Sequence, residues 1–478
     1  MQFGYDAQHS GSNAAEKGYS TSGNRFLYEV SGGSNEPLYL SGVSTADGSK
    51  DLLFSTMGNG SVMALDAASG ALVWQVTLSG TAQRMRGTPA LDPNRQFLYS
   101  MGMDGKAHRL RVGDGTEIVD ANWPEIVSVK PDIEQSTSAL TIVQDHFGHT
   151  YLVAVSGSYG DGGDYQGHVT SIDLSSGTQN TFNALCSNLS FHFVENGSPG
   201  VTDCNYPAFT QGGKFGMAGM WAAAGAVYDN ATNKIYVSTG NGPFDANSGG
   251  YDWGDTLLAL NPDATGSGMG WPLDSYTPST YATLYAQDYD LGIESPSILP
   301  STSANYPHLA FQVGKDFCGR LIDLDNMSGA GGPGHVGGEL NASCYTFMAA
   351  FPPTNVWVDP DDGSTRVFSG YTEERLTFDG AGRPSFTPTW TNSISFDNGG
   401  VYANRTLYGF SNLHIVYAIN ASDGSTVWSY TVPGADVYGV KWDYPIAVNG
   451  HLYIPIYDTG EFKLLAFELD GVFKNGLD

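Results

Sequence analysis

The chain of 478 residues is short of basic side chains: 21 Lys and Arg stand against 49 Asp and Glu, a formal net charge of −28. A surface of that sign repels phosphate backbones and anionic headgroups, which argues against nucleic acid and anionic membrane as partners. No apolar run reaches the roughly 20 residues that a membrane-crossing helix needs, so no membrane span is expected. The opening MQFGYDAQHSG has neither the basic nor the apolar region of a secretory leader, so an exported protein would be represented here by its mature form. Only four cysteines occur, none as CxxC or CxxCH, which leaves structural zinc and attached haem without ligands. Cys186 with Cys204, and Cys318 with Cys344, each bracket one loop-like insertion, and these two pairs are expected to form disulfides. HExxH and GxSxG are absent, and SGAGGPGHVGG is not followed by the Lys-Ser/Thr and helix of a phosphate cradle; hydrolase and nucleotide readings drop out.

Sustained helical periodicity is missing as well, whereas turns are plentiful, with glycine at 62 positions. Short apolar runs such as LYLSGV, DLLFST, TYLVAVSG, KIYVSTG and HLYIPIYD, bounded by Gly, Asp, Asn and Pro, read as strands. SVMALDAASGALVWQVTL, beginning at Ser61, returns as IVYAINASDGSTVWSYTV, beginning at Ile415. Degenerate copies are AHRLRVGDGTEI, HVTSIDLSSGTQNTF, TLLALNPDATG, GRLIDLDNMSG, ERLTFDGAGRPSFTPTW and KLLAFELDGVF, eight units in all. Repeats of about 40 to 60 residues, each able to supply four short strands, predict an all-β, eight-bladed β-propeller of four-stranded antiparallel blades. Residues 1–478 then form a single domain, with the opening segment pairing into the last blade so that an N-terminal strand closes the ring.

The unit ALDAASGALVW resembles the repeat of the pyrroloquinoline quinone (PQQ) propellers, and the similarity runs along almost the whole chain. That family includes quinoprotein alcohol dehydrogenases and non-catalytic outer-membrane assembly scaffolds, so the repeat speaks for the fold more than for an activity. The segment MWAAAGAVYDNATNKIYVSTGNGPF is similar to the dehydrogenase segment in which a Trp forms the floor under the quinone and an Asn oxygen binds Ca²⁺ or a lanthanide. By that resemblance Trp221 is the floor and Asn241 a metal ligand; the alternative is blade packing for Trp221 and a turn role for Asn241. YAQDYDLGIESPSIL looks like the segment carrying the catalytic aspartate, which implies Asp290 as base and metal neighbour, with Asp288 the close competitor. In RMRGTPALD, Arg86 stands where the family holds a quinone carboxylate. Lys315 in FQVGKDFCGRLIDLD matches the residue facing the quinone carbonyls. Lys441 and Trp442 are further candidate walls of the site.

Two departures count against an enzyme. There is no adjacent Cys-Cys to cover the quinone, and SGSYGDGGDYQGHVTSID lacks the family's metal-binding Glu, so Asp161 or Asp164 would have to serve. The resemblance therefore implies an exported oxidoreductase of an alcohol or sugar, using PQQ with Ca²⁺ or a lanthanide and an external electron acceptor. Its alternative is a non-catalytic propeller that binds a protein or glycan; a carboxylate-based polysaccharide-active propeller is a third reading. Eight N-x-S/T sequons, at Asn59, Asn188, Asn196, Asn230, Asn326, Asn341, Asn404 and Asn420, together with the disulfides, point to a secreted or periplasmic glycoprotein.

Overall fold

The computed structural model describes residues 6–16, 19–33, 35–136, 138–160, 165–189, 216–344, 354–394, 396, 399–411, 413–434, 437–438 and 444–471. Eight antiparallel sheets of mostly four strands follow one another as blades. Blade 1 is Leu38–Thr45, Gly48–Thr56, Ser61–Asp66 and Leu72–Thr77. Blade 4 is Val227–Asp229, Lys234–Ser238, Leu257–Leu260 and Asp274–Tyr276; blade 5 is Ser297–Leu299, Leu309–Val313, Cys318–Asp323 and Asn341–Cys344. Each of the eight sequence units contributes the third strand of a blade, and in blades 1 to 7 the fourth strand is the next strand in the chain.

The repeated Gly and Trp have a geometric cause. Trp74 on the outer strand of blade 1 donates its indole N–H to Val112 O of blade 2 at 2.9 Å. Its ring lies on Gly115, whose φ of +71° and missing side chain allow the approach: a Cβ there would meet the ring at 2.5 Å. Trp390 repeats the arrangement on Ala421 O, at 3.0 Å, and on Gly424. Each such contact ties one blade to the next.

The N-terminal region has two roles. Tyr19–Ser31 pairs antiparallel with Glu461–Gly471 and becomes the outer strand of blade 8, which closes the ring. The preceding residues do not join that blade, as the opening segment was expected to do. They form a strap along the inner strands, in which the carbonyls of Ala7, Gln8, Ser10 and Gly11 accept the N–H groups of Tyr228, Ile298, Val356 and Tyr402 at 2.6, 3.1, 2.7 and 3.0 Å. Ser12–Asn13 pairs parallel with Gly400–Ala403 of blade 7, and Asn13 Nδ2 donates to Ala447 O of blade 8 at 2.8 Å. Five successive blades, 4 to 8, are thus fastened from inside. An inner strand exposes backbone donors toward the channel, and a buried donor must be paired, which is what the strap achieves.

The Cys318–Cys344 disulfide is present and joins the third and fourth strands of blade 5. Cys186 is disulfide-bonded, and Cys204, its expected partner, lies outside the described residues. Helix is confined to Tyr281–Gln287 and two 3-10 turns among the described residues, and no helix there is long and apolar enough to cross a membrane.

Candidate functional site

The connections between second and third strands all reach the same face of the ring, because successive strands are antiparallel. In blade 4 this connection is the loop 239–256; in blade 5 it is the turn 314–317. Between the two blades, Tyr281–Gln287 ends at Asp288, which adopts the left-handed conformation with φ +58° and returns its N–H to Leu284 O. Aspartate tolerates that conformation better than most side chains. The reversal brings Asp288 and Asp290 onto one cation: Lys315 Nζ lies 2.8 Å from Asp288 Oδ2 and 3.4 Å from Asp290 Oδ2. Lys315 N–H also donates to Asp290 O at 2.9 Å. Burial pulls the Lys315 ammonium down, but Asp288 and Asp290 outweigh it and hold the group above the ordinary lysine value. Asp288 is the more exposed of the two carboxylates, at 40% against 10% for the side chains.

Asp290 is held from its other side by blade 4. Its Oδ1 accepts the N–H of Asn241 at 2.7 Å. Gly240 marks where three groups converge: a Cβ there would lie 2.6 Å from Asp290 Oδ1, 2.8 Å from Trp221 Nε1 and 3.2 Å from Gly219 O. Only glycine leaves room for that convergence. Trp221 itself precedes the inner strand of blade 4, packed beside Gly157 of blade 3. Trp221, Asn241, Asp290 and Lys315, far apart in sequence, therefore form one cluster.

The Asn241 amide is oriented by its nitrogen, which donates to Leu284 O at 3.3 Å. Its Oδ1 is buried and has no hydrogen-bond partner among the described residues. A buried amide oxygen left without a donor carries an uncompensated desolvation cost, and a hard cation is the species that such an oxygen suits. On this observation Asn241 fits a metal ligand. Among the described residues no group of three His, Cys, Asp or Glu side chains gathers to hold an ion, and Asp161 and Asp164 lie outside those residues.

Arg86 sits on the connection from blade 1 to blade 2, its guanidinium 5.7 Å from the ring centroid of Phe462 at the corresponding turn of blade 8. Lys441 and Trp442 lie outside the described residues.

Several buried ionisable groups escaped the sequence reading. Asp255, in the blade 4 loop, accepts the Leu291 N–H at 3.0 Å, and burial lifts its carboxyl well above the usual range. Glu294 accepts Tyr444 Oη–H at 2.7 Å, and burial pushes it up to about 8. His9 of the strap stacks on Tyr444 with ring centroids 6.3 Å apart, and burial depresses it to about 4. In blade 3, Glu134 contacts His168 Nε2 at 3.2 Å and accepts Ser128 Oγ–H at 2.5 Å. In sequence these look like turn acids and strand-end polar residues; a carboxylate beside a Gly or Pro carries no mark of its burial.

Residues 24–189 match the family described as outer membrane protein assembly factor BamB. A search of curated proteins finds no match. Among solved structures, a europium-containing methanol dehydrogenase superposes with a TM-score of 0.61 at 14% identity, covering 98% of this chain and 97% of the other. Quinohemoprotein alcohol dehydrogenase ADHIIG from Pseudomonas putida HK5 gives 0.61 at 15%, covering 100% and 81%. The quinohemoprotein alcohol dehydrogenase of Comamonas testosteroni gives 0.61 at 13%, with the same coverage. At these identities the likeness is one of fold.

Proposed function

We infer a function from the premise that this chain belongs to the PQQ-like β-propellers: it is an exported oxidoreductase that oxidises an alcohol or sugar with PQQ and a Ca²⁺-type or lanthanide ion. The observation that carries this reading is the cluster itself: Asp290 and the Trp221 indole meet at Gly240, Lys315 pairs with Asp290, and the buried amide oxygen of the adjacent Asn241 has no hydrogen-bond partner among the described residues. Bound PQQ supplies the two-electron acceptor. Asn241 Oδ1 would be the neutral oxygen ligand for the ion, with Asp161 or Asp164 as the anionic one. Trp221 offers its face to the flat cofactor, and Lys315 and Arg86 oppose its negative oxygens. Asp290, as a carboxylate, accepts the hydroxyl proton; its Oδ1 is aimed by the Asn241 N–H, so the base has one orientation rather than several. Asp288 shares Lys315 with it and stands nearer the solvent. Electrons pass to an external acceptor, since the chain carries no CxxCH. The Cys318–Cys344 disulfide supports work outside the reducing cytoplasm.

A non-catalytic scaffold that binds a protein or glycan is the second reading, favoured by the match of residues 24–189 to an assembly factor. Titration of the apo-protein with PQQ plus Ca²⁺ or La³⁺, followed by dye-linked oxidation of alcohols and sugars, separates the two. The oxidoreductase reading expects metal-dependent quinone binding. Asn241→Ala should weaken it by more than the roughly 10–100-fold typical of an outer-sphere partner, and Asp290→Asn should retain binding while turnover falls about 10²–10⁴-fold. No quinone binding at any metal concentration leaves the scaffold.

A further inference from the structure

Asp255 has no role in the scheme above, yet it is bound to both halves of the cluster. It is 1% exposed and adopts a left-handed backbone, with φ +49°. Its N–H donates to Gly240 O at 2.9 Å, and Gly240 N–H donates in turn to Gly219 O at 2.8 Å, two residues before Trp221. Its Oδ1 accepts the N–H of Leu291, the residue that follows Asp290. Leu291 O is taken by Gln312 Nε2 of blade 5 at 3.1 Å. One loop of blade 4 therefore grips Asp290 twice: the Asn241 N–H holds the carboxylate, and the Asp255 carboxyl holds the backbone next to it.

We propose that Asp255 is a positioning residue, which fixes the Asp290 carboxylate relative to Asn241 and Trp221 through the Leu291 amide. The proposal rests on the oxidoreductase reading for its purpose and on geometry for its mechanism. A side chain chosen for packing alone would not leave a carboxyl oxygen buried, and Asp255 Oδ2 has no partner among the described residues. Burial lifts this carboxyl well above the usual range, with the nearby charge of Asp290 adding to the effect. The left-handed backbone is a strain that the surrounding hydrogen bonds must maintain, as happens where a loop is held in one working geometry.

The grip requires an acceptor at Oδ1, which Asn supplies, Ala lacks and the shorter Ser does not reach. Amide hydrogen exchange over residues 288–295 of the apo-protein reads the grip without any cofactor. The rate of La³⁺- and PQQ-dependent alcohol oxidation reads its consequence. Asp255→Asn should keep the exchange protection and turn over within about threefold of the parent, whereas Asp255→Ala should lose about tenfold or more in both. Asp255→Ser serves the same purpose if the alanine variant does not fold. Unchanged exchange in the Ala and Ser variants overturns the proposal. So does an Asn variant that keeps its protection but turns over as slowly as Ala, because the carboxyl and not the position would then matter. If the parent binds no PQQ, the oxidoreductase reading fails on its own, and the exchange arm still decides whether Asp255 holds Asp290.

Discussion

At the scale of single residues, Glu134 and His168 make a buried ion pair in blade 3, close to the sheet edge against which Trp221 packs. Burial pushes the Glu134 carboxyl up, but the His168 charge and the bonds from His168 and Ser128 outweigh it and hold Glu134 below its ordinary 4.5. Burial also pulls His168 down, and Glu134 with Asn183 outweighs that, raising it above its ordinary 6.5 despite the opposing charge of Lys130. The Glu134 contribution is complete above 4.5 and fades as the pH falls through its lowered value. The His168 contribution is complete below 6.5 and fades as the pH rises through its raised value. The pair is therefore most stabilising between those two pH values. His168→Gln should cost roughly 3–5 kcal/mol there, the usual price of leaving a buried partner unpaired, with the gap to the parent narrowing in alkaline buffer. Urea unfolding at pH 5.5 and pH 9 measures this, and a gap independent of pH refutes it. Such pairs explain what the sequence concealed. Trp221, Asn241, Asp290 and Lys315 were singled out by the resemblance of their segments to those of quinoprotein dehydrogenases, and the fold brings them together. Glu134, Asp255 and Glu294 were not, because burial is decided by partners that lie 34, 36 and 150 positions away.

At the scale of elements, the contact between an outer-strand Trp and the Gly turn of the next blade is the unit that repeats. Gly115→Ala adds a methyl 2.5 Å from the Trp74 ring and forces an L side chain into φ +71°. Overpacking and the left-handed backbone together should cost about 2–4 kcal/mol, seen as a lowered melting temperature. Combining it with Trp74→Phe, which relieves the clash and gives up the Val112 bond, should cost less than the sum of the two single changes. Strict additivity in a double-mutant cycle counts against the docking role. The third strands were legible because each belongs to a copy of the repeat unit. Three inner strands were not: Ala90–Leu91, Val227–Asp229 and Ser297–Leu299 have two or three residues each, too few to show a period of two. Tyr281–Gln287 was missed for the same reason, since a helix of two turns hardly displays its own periodicity.

For the whole molecule, Tyr19–Ser31 covers the edge of Glu461–Gly471, and a truncated chain that begins at residue 32 leaves this long strand as an open template. Such a truncation should self-associate, and light scattering on the purified fragment checks it; a monodisperse monomer would show that the edge is protected by other means. The strap has a different consequence, which belongs to time. Its residues leave the ribosome early, but their partners in blades 4 to 8 follow over the rest of the chain, Asn13 and Ala447 being separated by 434 positions. Contacts of such separation close large loops before any of them is rewarded, which makes folding slow. Once all five blades are fastened, the same topology opposes escape, because no single blade can leave without breaking a bond to the strap. The protein is thus built to be assembled late and dismantled reluctantly.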